Sequence, residues 1–435
     1  MADTITRRGF VKTSAAAAVA ASIAPSKVLG ANDRIRMGFI GTANRGGQLI
    51  QATVPHQDAE IVAVCDVYKP AMEQWPEKLG HSVAMYQDFR KLIERDDIDA
   101  IVIATPDHWH ALQTIMACQA GKDVYVEKPL SITIHEGRKM VEAARQYEKV
   151  VAVGTHRRAS KLVARLAQLI ADDTIGKVTV ARYCRLSNMW PNGIGNAPPS
   201  DPPEGLDWDM WLGPRPMRPF QETITPYKFR WWHLYSSQIG NWGVHYFDMF
   251  RWVLGEIGPS AVVALGGQYA TTDDRTIPDT MEVVFEFASG RLITFGQYEA
   301  SGYKAFAAGQ FEIRGTKGIV LGTDRVMEVI PERGGQFQDS EPRMEPMKLE
   351  ANAEGDNKDV TIANMRNFLD CIKTRERPLA DVEEGHRSTT MSLLGNIALA
   401  TKSRIDWDPV SERITNNEDA NTLLHYEYRA PWKLG

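Results

Sequence analysis

The apolar run Val124-Tyr125-Val126 ends in Glu127-Lys128-Pro129. A residue before proline is driven out of helical geometry, so Lys128 must finish a strand extended or in a turn, with its ammonium aimed off the end of a sheet. A cis Lys128-Pro129 bond would fix that aim more tightly. A lysine standing alone at a strand end is usually an ordinary surface residue. Its surroundings here make it a candidate for catalysis.

Upstream, the compact apolar segment Ile35 to Ile40 runs into Gly41-Thr42-Ala43-Asn44-Arg45-Gly46-Gly47, and a helical pattern follows from Gln48. Strand, glycine turn and helix in that order is the context a dinucleotide fingerprint needs. The pattern is G-x-A-x-x-G, with Ala43 at the second glycine position. A methyl there crowds a pyrophosphate, yet such loops still offer backbone N–H groups and a helix N-terminus to an anion. The next strand, Glu60 to Asp66, ends in an acid about twenty residues beyond Gly46, where a carboxylate can receive ribose hydroxyls. Asp66 argues for NAD over NADP, because two like charges at ~4 Å and an effective dielectric of ~20 repel by ~4 kcal/mol. Arg45 and Lys69 soften that preference.

The elements that must position these groups alternate. A third strand, Ala100 to Ala104, leads through Thr105-Pro106-Asp107-His108-Trp109-His110 into a helix from Ala111 to Ala120, which Gly121 stops. The strand delivering Lys128 follows, then a helix from Ile134 to Tyr147 and a strand from Val150 to Gly154. Short links between alternating strands and helices predict a parallel sheet with ligands at its carboxyl ends. Gly41, Asp66, Thr105 and Lys128 all fall at such ends. His108 and His110 resemble a metal pair, but no third ligand stands at useful spacing, so no metal site is expected.

With this much in place the chain resembles the Gfo/Idh/MocA oxidoreductases, from Ile35 to Trp407. Glu127-Lys128-Pro129 matches the family's E-K-P motif, whose lysine lies beside the nicotinamide. Asp107 and His110 match its P-N-x-x-H segment, with Asp107 in place of asparagine. The family's D-x-x-x-H corresponds to Asn241-Trp242-Gly243-Val244-His245, so His245 matches the acid-base histidine and Asn241 replaces the aspartate. An amide orients a hydroxyl but accepts no proton, which leaves proton transfer to His245 with Lys128 as a relay. The resemblance implies Gly41 to Gly46, Asp66, Thr105, Pro106, His110, Glu127 and Lys128 around the cofactor. It also implies dimers or tetramers.

From Lys177 the pattern changes to short alternating or apolar runs: Val178 to Leu186, Ala261 to Gln268, Met281 to Phe287, Arg291 to Gln297 and Gln310 to Arg314. With Ser289-Gly290 and Gly315 to Gly318 as turns, they predict an open, mainly antiparallel sheet, a form prone to self-association. Between the first two lies Asn188 to Trp252, holding Trp190, Trp208, Trp211, Trp231, Trp232, Trp242 and Trp252. Aromatic faces suit the C–H faces of sugars and cyclitols; one or two of these are expected at substrate and the rest in packing. Trp208 to Pro214 is similar to a segment of the family's secreted branch. Arg158, Trp242 and Tyr183 are the substrate-contact candidates, with His156, Arg157 and Arg230 as further options. Gly334 to Asp359 reads as a polar surface excursion, two helices follow near Thr361–Lys373 and Glu383–Lys402, and the tail beyond Asp406 carries no signal.

The expected fold is therefore α/β: an N-terminal Rossmann domain over residues 34–155 and a C-terminal α+β domain over 156–435. Residues 1–31, with Arg7-Arg8 before an alanine-rich stretch, read as a twin-arginine export signal and not a membrane span, which needs roughly 20 apolar residues. A net charge of -5 gives no footprint for nucleic acid, and the four cysteines form no C-x-x-C pair. The expected function is hydride transfer between a sugar, cyclitol or related polyol and a tightly held nicotinamide cofactor. Two rivals remain: an NAD-dependent glycosidase working by transient oxidation and elimination, and a non-catalytic sugar-binding protein on the same fold.

Overall fold

Strand β1 (Ile35–Ile40) is buried on both faces and hydrogen-bonds in parallel to β2 (Ala59–Cys65) on one side and to β4 (Ala100–Ile103) on the other. This is seen in a computed structural model that describes residues 34–351 and 359–434; the export signal expected over 1–31 lies outside them. Strands β3 (Ala84–Tyr86), β5 (Asp123–Val126) and β6 (Val151–Val153) complete a six-stranded sheet of order β3-β2-β1-β4-β5-β6. Every pairing in it is parallel. The order reverses between β1 and β4, and in a doubly wound sheet that crevice is where a dinucleotide binds.

Helix α1 (Asn44–Thr53) follows β1 with only Gly41-Thr42-Ala43 as the turn. It starts earlier than the apolar pattern from Gln48 indicates, because the glycines at 46 and 47 are inside its first turn. Helix α2 (His110–Gln119) follows β4 after a short 3₁₀ turn, and α3 (Ile134–Gln146) follows the Lys128 segment. Thr133 and Glu136 close the start of α3 reciprocally: each side chain accepts from the other's backbone N–H, which satisfies two otherwise orphaned donors.

After α4 (Lys161–Ala171), β7 (Val178–Leu186) opens the second sheet, and α5 (Val244–Leu254) precedes β8 (Ala261–Gly267), β9 (Thr280–Glu286) and β10 (Leu292–Tyr298). Then come β11 (Phe311–Gly315), β12 (Gly318–Gly322), β13 (Val326–Pro331) and β14 (Met347–Glu350), helices α6 (Val360–Thr374) and α7 (Val382–Thr401), and strands β15 (Ile405–Asp408) and β16 (Arg413–Ile414). The ten strands run β14-β13-β12-β11-β7-β10-β9-β8-β15-β16. Only β7 and β10 are parallel. One face of the sheet packs its buried residues, Phe285, Phe295 and Phe311 among them, against apolar residues of α4, α5 and α7. On β8 and β9 the other face leaves Val263, Leu265 and Val284 exposed.

Several features differ from the sequence reading, among them strands β12, β13, β15 and β16, which it did not predict. β3 was unforeseen, being a three-residue strand. The polar stretch after Gly334 is exposed as expected up to β14, which adds an edge strand to the sheet. Finally, α6 does not join the second domain's core. Its Met365, Phe368 and Leu369 pack with Met37, Phe39 and Tyr125 of the first sheet, and Asn364 Nδ2 donates to Tyr125 Oη and to Val153 O, both at 3.1 Å.

Candidate active site

The turn after β1 is shaped by close approaches. Gly41 has φ +81°, and a Cβ on it would lie 2.7 Å from the Ala104 backbone; one on Gly46 would lie 1.8 Å from Gly41 O. Side chains at either place would push apart β1, β4 and α1. Ala43, by contrast, is exposed, with φ −75° and ψ −174°, so its methyl borders the cleft without closing it. Asp66, just past β2, accepts from Thr42 N at 2.8 Å and Tyr68 N at 3.0 Å. Burial nevertheless pushes its carboxyl above the usual range.

Past β5 the Lys128-Pro129 bond is cis. His110 ties this turn to the end of β4, with Nδ1 2.8 Å from Pro129 O and Nε2 2.9 Å from Thr105 O. Both ring nitrogens thus face carbonyl oxygens, which leaves neither for a metal. Glu127 is buried and accepts from Arg45 Nε at 2.8 Å, bridging α1 to the strand end. Lys128 Nζ reaches across to the second domain and donates to both O and Oδ1 of Asn241, each at 2.9 Å. Burial pulls this ammonium down to about 8; Glu127 and Asp107 pull upward, and Arg230 and Arg45 downward.

Asn241 lies in a π-helical turn, Ile239–Gly243, that runs straight into α5. Such turns are uncommon and cluster at functional sites. His245, in the first turn of α5, is buried, and its Nδ1 has no hydrogen-bond partner. Burial holds the imidazole well below its ordinary value, and Lys128, Arg157 and His156 add to that. The His156 ring lies 5.1 Å from it, centroid to centroid, also with an unpartnered Nδ1.

Lys128 and Asn241 line a cavity of about 250 Å³ together with Gly41, Ala43, Asn44, Arg45, Asp66, Thr105, Pro106, Asp107, His110 and Glu127, whereas His245 and His156 are not among its lining residues. Thr42 and Gly46 stand behind it: the Thr42 amide is taken by Asp66, and Gly46 packs on Gly41. The donor set fits a dinucleotide, since α1 points its start at the cleft with no acidic residue in its first turn. Gly41, Ala43 and Asn44 would hold the pyrophosphate and Asp66 the ribose.

The outer wall was missed from sequence. Leu206, Met210, Trp211, Phe220, Tyr227 and Phe229 close the cavity from the second domain's excursion. Of the tryptophans between residues 188 and 252, Trp211 alone lines it. Trp109 also lines it, with Nε1 donating to Met210 O at 3.1 Å and Trp211 O at 3.0 Å. The tail that carried no sequence signal braces this wall: Trp432 packs edge-on to Trp109 at 4.8 Å, and Arg429 Nε donates to Gly213 O at 3.0 Å.

The three substrate-contact candidates do not reach the cavity. Arg158 spends its guanidinium on Asp248, at 2.9 Å to both oxygens, and on Glu384 at 3.0 Å. Tyr183 is buried in the second domain's core, stacked on Tyr246 at 3.6 Å. Trp242 packs against that core with Arg185 over its ring at 4.2 Å. Arg157 is paired with Asp324 at 2.9 Å, whereas Arg230 does line the cavity.

Comparison with known proteins agrees with this architecture. Residues 35–155 match the model of the oxidoreductase family's NAD-binding Rossmann fold, and residues 216–395 match that of its C-terminal alpha/beta domain. Myo-inositol 2-dehydrogenase of Thermotoga maritima is 24% identical over 381 residues, 86% of this chain and 99% of that protein. A glycosyl hydrolase family 109 protein of Solibacter usitatus is 32% identical over 161 residues, 33% of this chain and 37% of that protein. Among solved structures, levoglucosan dehydrogenase in complex with NADH and levoglucosan superposes with a TM-score of 0.64 at 19% identity, covering 86% of this chain and 99% of that one. The WlbA dehydrogenase of Bordetella pertussis, in complex with NADH and UDP-GlcNAcA, gives 0.63 at 19% identity, with coverage of 86% and 99%. The chain belongs to the Gfo/Idh/MocA family of NAD-binding oxidoreductases.

Proposed function

We propose that the protein interconverts a CH–OH group and a carbonyl on a sugar, cyclitol or related polyol, with Lys128 and His245 at the reacting oxygen. The observation that carries this reading is the contact of Lys128 Nζ with Asn241 across the cavity. Bound NAD supplies the hydride acceptor in oxidation and, when reduced, the donor in the reverse direction. Two of the three ammonium N–H groups are taken by Asn241, which leaves one to donate to the substrate oxygen. Asn241 cannot take the hydroxyl proton. His245, held neutral, takes it in oxidation and returns it in reduction. Burial that keeps Lys128 near the working pH also lets it relay that proton. A panel of sugars, cyclitols and glycosides, followed by the near-ultraviolet absorbance of reduced nicotinamide, tests the reading; a panel that leaves the cofactor unchanged throughout counts against it.

The family 109 likeness, at 32% identity over a third of the chain, favours one second reading: transient oxidation followed by elimination of a glycosidic leaving group. Aglycone release with no net change in cofactor redox state would identify it.

Export and assembly complete the proposal. Arg7-Arg8 directs twin-arginine export of the folded chain with NAD already loaded, and recovery of nucleotide-free protein from the periplasm would oppose this. The uncovered face of β8 and β9, with Leu265 73% exposed, joins copies into dimers or tetramers, checked by light scattering.

A further inference from the structure

Arg230 lines the same cavity as Lys128, Asp107 and Asn241. Its guanidinium lies over two rings, 4.1 Å from the Tyr227 centroid and 4.5 Å from that of Phe229, and Nη1 donates to Tyr227 O at 3.1 Å. Among the described residues it makes no ion pair. Arg45, the other arginine lining the cavity, is spent on Glu127. Asp107, the carboxylate that faces Arg230 and Lys128 in the cavity, is engaged by the Ser236 hydroxyl, and its burial favours the uncharged form. Asn241, opposite, is a neutral amide. Glu127, next to Lys128, is paired with Arg45, so this end of the cavity presents two cations, Lys128 and Arg230, neither of which forms an ion pair among the described residues.

A guanidinium carries five N–H donors in a rigid fork that fits a carboxylate or phosphate, and stacking on aromatic faces holds that fork in place before a ligand arrives. One donor is occupied here, by a backbone carbonyl. Such a group, left unpaired beside a lysine that meets the reacting hydroxyl, selects for negative charge on the molecule bearing that hydroxyl. We propose that the substrate is an anionic sugar or polyol whose oxyanion, carboxylate or phosphate, is received by Arg230 while Lys128 engages the hydroxyl that reacts. This rests on the CH–OH reading of the site and narrows its substrate class.

The test uses the holoenzyme with matched sets of neutral hexoses, the corresponding uronates and the corresponding hexose phosphates. Binding is followed by fluorescence of the bound reduced cofactor and turnover by its absorbance, for the native protein, Arg230→Gln and Arg230→Lys. The native protein should prefer one anionic set over the neutral one by roughly 10- to 100-fold, the scale of a charge-assisted hydrogen bond. Which set wins separates carboxylate from phosphate. Arg230→Gln should erase that preference by raising KM with the cofactor retained, and Arg230→Lys should restore part of it. Equal binding of neutral and anionic sets by the native protein overturns the inference. So does an Arg230→Gln variant that sheds cofactor while its preference stays intact, since Arg230 would then serve the nucleotide. Anion binding that depends on Arg230 with no hydride transfer upholds the anion site and sinks the CH–OH reading; turnover of neutral sugars with no anion preference does the reverse.

Discussion

Lys128 Nζ and Asn241 meet twice, through the main-chain and the side-chain oxygen of one residue, at 2.9 Å each. A backbone carbonyl cannot be mutated away, so Asn241 holds the lysine even when its side chain is altered. What the side chain controls is charge. Asn241→Asp places a carboxylate against the ammonium and should raise the Lys128 pKa from about 8 by roughly 1–3 units. The limb of the kcat/KM profile that reports Lys128 should move to higher pH accordingly.

Lys128→Ala removes the donor to the substrate oxygen and should lower turnover by ~10²–10⁴-fold. Cofactor should remain bound, because the glycine turn and Asp66 are untouched. Full activity of this variant on the true substrate would disprove the role given to Lys128.

Gly46→Ala and Ala43→Gly should behave oppositely. The first puts a methyl 1.8 Å from Gly41 O and must open the turn, so the purified protein should lose bound nucleotide. The second only trims an exposed methyl at the cleft and should retain it. Absorbance of released nucleotide after denaturation measures both.

Arg158→Met should destabilise the fold by about 3–5 kcal/mol, since it leaves the carboxylate of Asp248 buried without its partner. The substrate KM of the folded fraction should stay as it was, which separates this arginine from Arg230. Denaturant titration and steady-state kinetics together check the pair of outcomes.

Acid should weaken the protein through buried histidines. Burial pulls His108 down to about 3 and holds His156 and His245 well below their ordinary value of 6.5. Between the folded and unfolded values the unfolded chain binds more protons, so stability is complete above about pH 6.5 and falls as pH drops below it. Each such histidine contributes a slope of about 1.4 kcal/mol per pH unit. Melting temperature across pH should show the decline, and His108→Gln should flatten it.

The first sheet was readable because each of its features is local. Strands and helices switch period within a few residues, and Gly41, Asp66 and Lys128 mark strand ends by their own chemistry. Observed element ends differ from expectation by a residue or two, except at the start of α1. What could not be read depends on distant partners. Arg157 and Arg158 are adjacent and alike in sequence, and only the distant Asp324, Asp248 and Glu384 reveal that both are committed away from the cavity. Trp432 and Trp109 are far apart along the chain, so nothing near Trp432 announces a role behind the cavity wall. The aromatic lining at Phe220, Tyr227 and Phe229 had a signal in the tryptophan-rich stretch, but composition does not say which rings face inward.

Helix α6 makes the nucleotide-binding half dependent on residues synthesised long after it. Severed after residue 155, that half would expose Met37, Phe39 and Tyr125 where Met365, Phe368 and Leu369 now cover them. It is not a module that can be excised or grafted onto another catalytic half, and heating should melt both halves in one cooperative step.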